Sequence, residues 1–413
     1  MILAGDHTPE LYETALNLGP GTVLCVLDGP ILSAQHGLKP ALKSGPSLYS
    51  ISLPERLPGS EGETHFALAS NHFMDFGTAG MEKSFEQLSM AGSKFSGAGK
   101  NVGEARRPMV FESDGVRVGV ISCCEAQYGV AGAAAPGVAE IGPWIYPALA
   151  KLRGEIDVAV VSVHASVEMS PWPSPYLQEL YRSWIDAGAL IVHGHHAHQP
   201  QGIEHYGGGI ISYGSANLLV CPERWAEGVD TYWSLAVDVD LNSRPLRGRV
   251  FSTEIRRQNR MLVAEPSNAA EAKSHEDYIA AVTAPLLDPS LLEALWQETA
   301  VRSLIRLYAD PLRAPTGIQR RFNLKQRVKA LRAGFLEAAG AVIGREVSTD
   351  FVKRSCMNWH HYFACISHRD AIATGLGVLS GAVSDLRTEA SSSLADKFMT
   401  FFPKVDRKKQ GMT

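Results

Sequence analysis

Five histidines, His193, His195, His196, His198 and His205, fall in the stretch 191-IVHGHHAHQPQGIEHY-206, out of fourteen in the 413-residue chain. Imidazole suits borderline metals such as zinc, manganese and iron. Other ligand-type residues close one apolar run after another: Asp6 ends MILAGD, Asp28 ends TVLCVLD, Asn71 and His72 end FALASNH, and His164 ends VAVVSVH. Each alone has a plain structural use, as a cap, a turn or a hydrogen-bonded core residue. Together, two carboxylates, an amide and several imidazoles exceed the four ligands of a tetrahedral zinc site. They suit two ions about 3.5–4 Å apart, sharing a bridging carboxylate and a bridging water and clamping the oxyanion of an in-line displacement.

What must position these residues is an α/β core. Up to about residue 253, short β-branched runs read as strands: MILAG, 22–28, 64–70, 116–123, 157–164, 190–194, 209–214 and 234–241. Between them, 78-TAGMEKSFEQLSMAG-92 and 174-SPYLQELYRSWIDAG-188 read as helices closed by Gly92 and Gly188. In open α/β sheets the ligand crevice lies beyond the carboxyl ends of the strands, where residues distant in sequence converge. From about 266 the pattern turns to longer helices, over 269–282, 290–309, 323–343 and 357–379. The expected division is a domain over 1–255, a helical region over 266–400 and a basic, disordered tail over 401–413. His360, His361 and His368 read as parts of a packed helix. Residues 302 to 354 are locally basic, led by those from Arg302 to Arg332, and read as a solvated helix face or a landing patch for an anion.

With 45% hydrophobic and 20% charged residues, the chain reads as soluble and globular, and a net charge of −4 argues against nucleic acid as a partner. No apolar run reaches the roughly 18 residues of a membrane span, and the first ten residues turn acidic before a signal-peptide core forms, so a cytoplasmic location is expected. The six cysteines form no CxxC pair and read as reduced thiols.

In order and spacing, 5-GD-6, 26-VLDGPI-31, 69-ASNHFMDFG-77, 97-GAGKN-101, 162-SVHASVE-168, 194-GHHAHQPQG-202 and 212-SYGSAN-217 resemble the CapA-type family of poly-gamma-glutamate capsule synthesis, within the calcineurin-like metallophosphoesterase superfamily. The resemblance covers residues 1 to about 240. It implies an α/β fold, a metallophosphoesterase-like four-layer α/β/β/α sandwich with a helical C-terminal extension. It also implies two divalent transition-metal ions (Mn, Zn or Fe) on Asp6, Asp28, Asn71, His164, His196 and His198. His72 would act on the leaving group or the substrate oxyanion, Glu168 would orient a ligand or meet substrate, and Lys43 and Asn101 would contact substrate. His193, inside LIVHG, reads as a buried ring, which leaves His195 as a flanking residue and His205 at the surface or in a turn. Three positions depart from the family pattern: Thr8, with a histidine at His7 instead; Asp28, where glutamate is usual; and Ala216, where glycine is common.

The activity implied is metal-dependent hydrolysis of a phosphoester or amide in an anionic small molecule or polymer. The alternative is a non-hydrolytic assembly component that binds a polyanion. A helical interaction protein on an inactive core is a third.

Overall fold

A computed structural model describes residues 1–9, 11–43, 45–221, 233–259, 261–308 and 349–402. The expected helix over 323–343, the tail beyond 402 and most of the basic stretch lie outside the described residues. The strands up to the second helix are β1 (Ile2–Thr8), β2 (Glu13–Leu16), β3 (Val23–Leu27), β4 (Glu55–Arg56), β5 (Thr64–Ala67), β6 (Phe95–Ser96) and β7 (Ala98–Gly99). There follow β8 (Met109–Ser113), β9 (Val116–Cys124), β10 (Gly137–Val138), β11 (Val158–His164), β12 (Ile191–His195), β13 (Ile203–Tyr206) and β14 (Gly209–Ser212). The last are β15 (Asn217–Val220), β16 (Trp233–Asp240), β17 (Arg247–Gln258) and β18 (Met261–Pro266).

Among the described residues these strands make two large sheets. One runs in the order β4-β2-β18-β17-β16-β1-β3-β5-β6, with β15 also paired to β1, and the other in the order β13-β14-β12-β11-β9-β8. Strands β1, β3 and β5 are mutually parallel, as are β9, β11, β12 and β14. Parallel strands buried on both faces need continuous apolar runs, which is why β3 (VLCVL) and β11 (VAVVSVH) are buried along their whole length.

Side-chain alternation builds the layers. Leu3, Leu24, Val118, Val120, Val158, Val160, Ile191 and Val237 point into one apolar cluster between the two sheets. Their neighbours Ile2, Ala4, Val23 and Cys25 point the other way, onto Met81 and Leu88 of α1 (Gly77–Met90). Val161, Val163 and Val192 point to the other face of the second sheet, onto Leu149 of α3 (Ile145–Leu152) and Leu177 and Trp184 of α4 (Pro175–Asp186), while the short α2 (Val102–Ala105) packs apart from them. This is the four-layer α/β/β/α sandwich. The helix ends follow the sequence signals: Ser174 caps α4 by accepting from the Leu177 N–H at 3.2 Å, and Gly92 closes the α1 end with φ +70°.

The C-terminal helices are α5 (Ala269–Thr283), α6 (Pro289–Ser303), α7 (Thr349–Ala364), α8 (Ile366–Ser380) and α9 (Glu389–Phe398). The expected helix over 357–379 is therefore two, broken at Cys365. Leu295, Leu304, Ala371 and Phe398 belong to the same apolar cluster as Trp184 and Val192. Arg302, read as part of a basic face, is 1% exposed and paired with Glu298 at 3.1 Å and Asp396 at 2.8 Å. It ties α6 to α9 and is closed to an incoming anion. Among the described residues no single helix is long and apolar enough to cross a membrane.

Candidate metal centre

The carboxyl ends of the parallel strands of both sheets meet at one edge. The Asp6-bearing half of β1 lies beside β3, with Asp28 one residue past its end. Asn71 and His72 lie just beyond β5. His164 ends β11 and is in register with His195 at the end of β12, so the two rings are side by side.

The close approach of β1 and β12 to the chain around Ala216 leaves no room for side chains. A Cβ on Gly5 would stand 2.0 Å from the Ala216 carbonyl oxygen, and one on Gly194 would stand 2.1 Å from the Tyr213 carbonyl oxygen. Ala216 itself is at φ +61°, and His196 and His198 are at φ +87° and +53°. Non-glycine residues pay for this left-handed geometry, and such strain gathers at functional sites. Ala216→Gly is expected to raise stability by about 0.5–1 kcal/mol by relieving it. Urea denaturation checks this, and a loss of stability would show that the buried methyl outweighs the strain.

Asp6 is fully buried. Its Oδ1 lies 3.7 Å from His164 Nδ1 and 3.6 Å from His195 Nδ1, and its Oδ2 lies 3.6 Å from His198 Nδ1. Asp28 Oδ1 is 3.4 Å from His164 Nε2, and its Oδ2 is 3.9 Å from His198 Nε2. Asp6 Oδ1 and both oxygens of Asp28 have no hydrogen-bond donor. Burial, and then the charge of Asp28, push the Asp6 carboxyl up to about 8. Burial holds His164, His195 and His196 well below the usual imidazole range, each helped by its imidazole neighbours. Burial opposes charge on His198 too, yet Asp6 and Asp28 outweigh it and raise its pKa.

Crowded lone pairs with few donors are what a cation resolves. His164 Nδ1 and His195 Nδ1 are 2.6 Å apart. Three overlapping groups have their ligand atoms within 4.8 Å of one another: Asp6, His164 and His195; Asp6, Asp28 and His198; and Glu168, His196 and His198. The donor set therefore fits divalent transition metals. Surrounding polar groups fix the rings, as carboxylates and amides around metal sites do. His198 Nδ1 is 2.8 Å from Asn217 Oδ1, His195 Nε2 is 3.1 Å from Ser162 Oγ, and His164 Nε2 is 2.9 Å from Asn71 Oδ1. Asn71 Nδ2 donates to Gln127 Oε1 at 3.0 Å, and Gln127 Nε2 lies 3.1 Å from His196 Nε2.

Of the residues expected at the site, Asp6, Asp28, Asn71, His164, His196 and His198 are together, with Glu168 beside the last two. His72 and Lys43 line the adjoining pocket of about 550 Å³. Asp75 holds both: its Oδ2 is 2.8 Å from His72 Nδ1, and its Oδ1 accepts from Lys43 Nζ at 2.5 Å. Asn101 is elsewhere: its side chain accepts from the Glu104 N–H at 3.0 Å and caps α2. His7 turns away from the centre, 3.1 Å from Thr14 Oγ1 and 3.2 Å from Ser50 Oγ, and burial pushes it down to about 3. It therefore does not stand in for the histidine absent at Thr8. His193 is buried with Nε2 against Ser215 Oγ at 3.1 Å, and His205 is exposed on β13.

His195, Gln127, Asp75 and Asn217 were missed. His195 joins the centre because it ends β12 in register with His164, a pairing the sequence does not show. Strand β12 stops at His195, and His196 and His198 follow in a turn with positive φ.

Residues 60–221 match the family model described as bacterial capsule synthesis protein PGA_cap. The match is narrower than the expected 1 to 240. The capsule biosynthesis protein CapA of Bacillus anthracis is 32% identical over 179 residues, 41% of this chain and 43% of that protein. The PGA biosynthesis protein CapA of Bacillus subtilis (strain 168) is 30% identical over 156 residues, 37% of this chain and 41% of that protein. The matched stretch thus spans less than half the length of these relatives. Among solved structures, the 5'-nucleotidase from Candida albicans SC5314 is similar at a TM-score of 0.35 and 11% identity, over 60% of this chain and 51% of that one. Over its central part, then, the chain is similar to bacterial capsule synthesis proteins of the CapA type.

Proposed function

We propose that the chain is a metal-dependent hydrolase that cleaves a phosphoester or amide in an anionic substrate, with two divalent ions held by Asp6, Asp28, Asn71, His164, His196 and His198. His195 and Glu168 would complete the two donor sets. The observation that carries this is the buried pair Asp6 and Asp28, three of whose four oxygens lack a donor while imidazole nitrogens stand 3.4–3.9 Å away. Bound ions would lower the pKa of a water and polarise the electrophilic centre.

The chain's own groups do the rest. His72, held at Nδ1 by Asp75, presents Nε2 for proton transfer to the leaving group. Asp75 also fixes the Lys43 ammonium, so that pocket wall carries a positive charge for an anionic substrate. Burial lowers the Lys43 pKa, and Asp75 acts against that shift.

The test is elemental analysis of protein grown with manganese, zinc and iron, followed by a panel of phosphoesters and amides with the metal found. Bound metal well below one equivalent overturns the proposal, as does a metal-loaded protein with no turnover on the panel. The names of the Bacillus relatives, both biosynthesis proteins, favour a second reading, a non-hydrolytic component that binds a polyanionic polymer. Tight binding of poly-gamma-glutamate without turnover selects it.

A further inference from the structure

The outer wall of the metal pocket comes from the C-terminal helices. His360, His361 and Tyr362 of α7, His368 of α8 and Tyr308 line the same pocket as Lys43 and His72. This seating is specific. Glu125, just past β9, accepts from the Cys365 thiol at 3.0 Å, from the Ser367 N–H at 2.9 Å and from the Ser367 hydroxyl at 2.6 Å. A buried carboxylate thus caps α8 from the sandwich, where the helix dipole favours negative charge. Two residues on, Gln127 Nε2 lies 3.1 Å from His196 Nε2 and 3.6 Å from Cys365 Sγ, touching both the metal centre and the α7–α8 joint.

The wall is rich in N–H and O–H groups and poor in carboxylates. His368 Nδ1 is bonded to the Tyr308 hydroxyl. The ring of His361 lies 4.4 Å from that of His368, centroid to centroid. His361 is partly buried, and among the described residues neither of its ring nitrogens has a hydrogen-bond partner. Burial, then Lys43 and His360, push its pKa down to about 4, so it faces the pocket as a neutral imidazole. The one carboxylate among the described pocket-lining residues is Glu168, on the metal side with His196 and His198. Asp75 and Glu125 are committed to the partners named above. A volume of about 550 Å³ lies within the usual range for small-molecule sites.

We propose that His361, with His360 and Lys43, forms a second anion subsite in the pocket beside the metal centre, so that the substrate is a compact molecule or chain end with two anionic groups. The inference rests on the reading of the metal centre as the place of the reacting group. The C-terminal helices then help determine which esters or amides enter.

The full-length, manganese-loaded protein is titrated calorimetrically with orthophosphate, pyrophosphate and tripolyphosphate. Affinity is expected to rise by about tenfold from orthophosphate to one of the longer anions, the size of one charge-assisted hydrogen bond. His361→Ala should remove that rise and leave orthophosphate affinity and manganese content unchanged, and His361→Gln should restore part of it. No rise with length in the wild type, or a rise that survives His361→Ala, overturns the subsite. An intact binding pattern in a protein without turnover overturns only the hydrolase reading.

Discussion

Asp6→Asn is expected to lower turnover of the metal-loaded protein about a thousandfold, a loss of about 4 kcal/mol of transition-state stabilisation, while making the metal-free protein more stable. Asp6 belongs to two of the three candidate ligand groups, so its removal takes a donor from each. Without metal the same carboxylate is a burden: it is buried, an oxygen lacks a donor, and burial and Asp28 raise its pKa from 3.8 to about 8. The sign follows from proton linkage. Between these pH values the unfolded chain has released the proton that the native state keeps, so stability of the metal-free protein falls as pH rises from about 4 to 8. The neutral amide removes that slope. Added metal should then stabilise the wild type far more than the variant, because only the native state gathers the ligands. Thermal melts with chelator and with manganese, with metal content, check all three. A variant less stable than wild type in chelator would mean that Asp6 has an apo-state partner that outweighs its desolvation.

Replacing His72 with alanine is the second large effect, expected at about 10²–10³-fold in turnover with metal content unchanged. His72 Nδ1 lies 2.8 Å from Asp75 Oδ2, outside the candidate ligand groups. In the proposed role of proton donor to the leaving group, it would matter most when that group is a poor one. Alkyl phosphoesters should therefore show the full loss and p-nitrophenyl phosphate a small fraction of it. An equal loss on both would assign His72 to the substrate oxyanion, and a loss of bound metal would make it part of the metal centre.

Much of the centre was legible in the sequence because a parallel sheet delivers its strand ends to one edge. Once the runs ending at Asp6, Asp28, Asn71 and His164 were recognised as strands, their convergence followed from topology. The four layers were legible for the same reason, through the alternation of Leu3 against Ile2 and Ala4, and of Val160 against Val161. What the sequence hid depends on pairing or on turns. His195 enters because β11 and β12 are in register, and Asn217 because β15 returns beside β1. The positive φ at His196 and His198 places both in a turn beyond the strand, which a strand pattern does not describe. Strands β2, β8, β13, β17 and β18 were missed because they are short or carry polar residues on an open face, as the exposed positions of β17 show. The histidines of α7 and α8 share a helical pattern with packing residues, and nothing in the spacing says that one face meets a pocket.

The division of labour around that pocket runs along the chain. Among the described residues every candidate ion ligand lies at or before His198, whereas the outer wall is drawn from positions at or after Leu307. On the proposed reading, the ligand set and most of that wall thus come from separate parts of the chain, joined through the apolar cluster that holds Trp184 and Val192 with Ala371 and Phe398 and through Glu125 and Gln127. If the two proposals hold, exchange of the later wall residues, with that junction retained, would alter what is admitted while leaving the ligand set upstream in place.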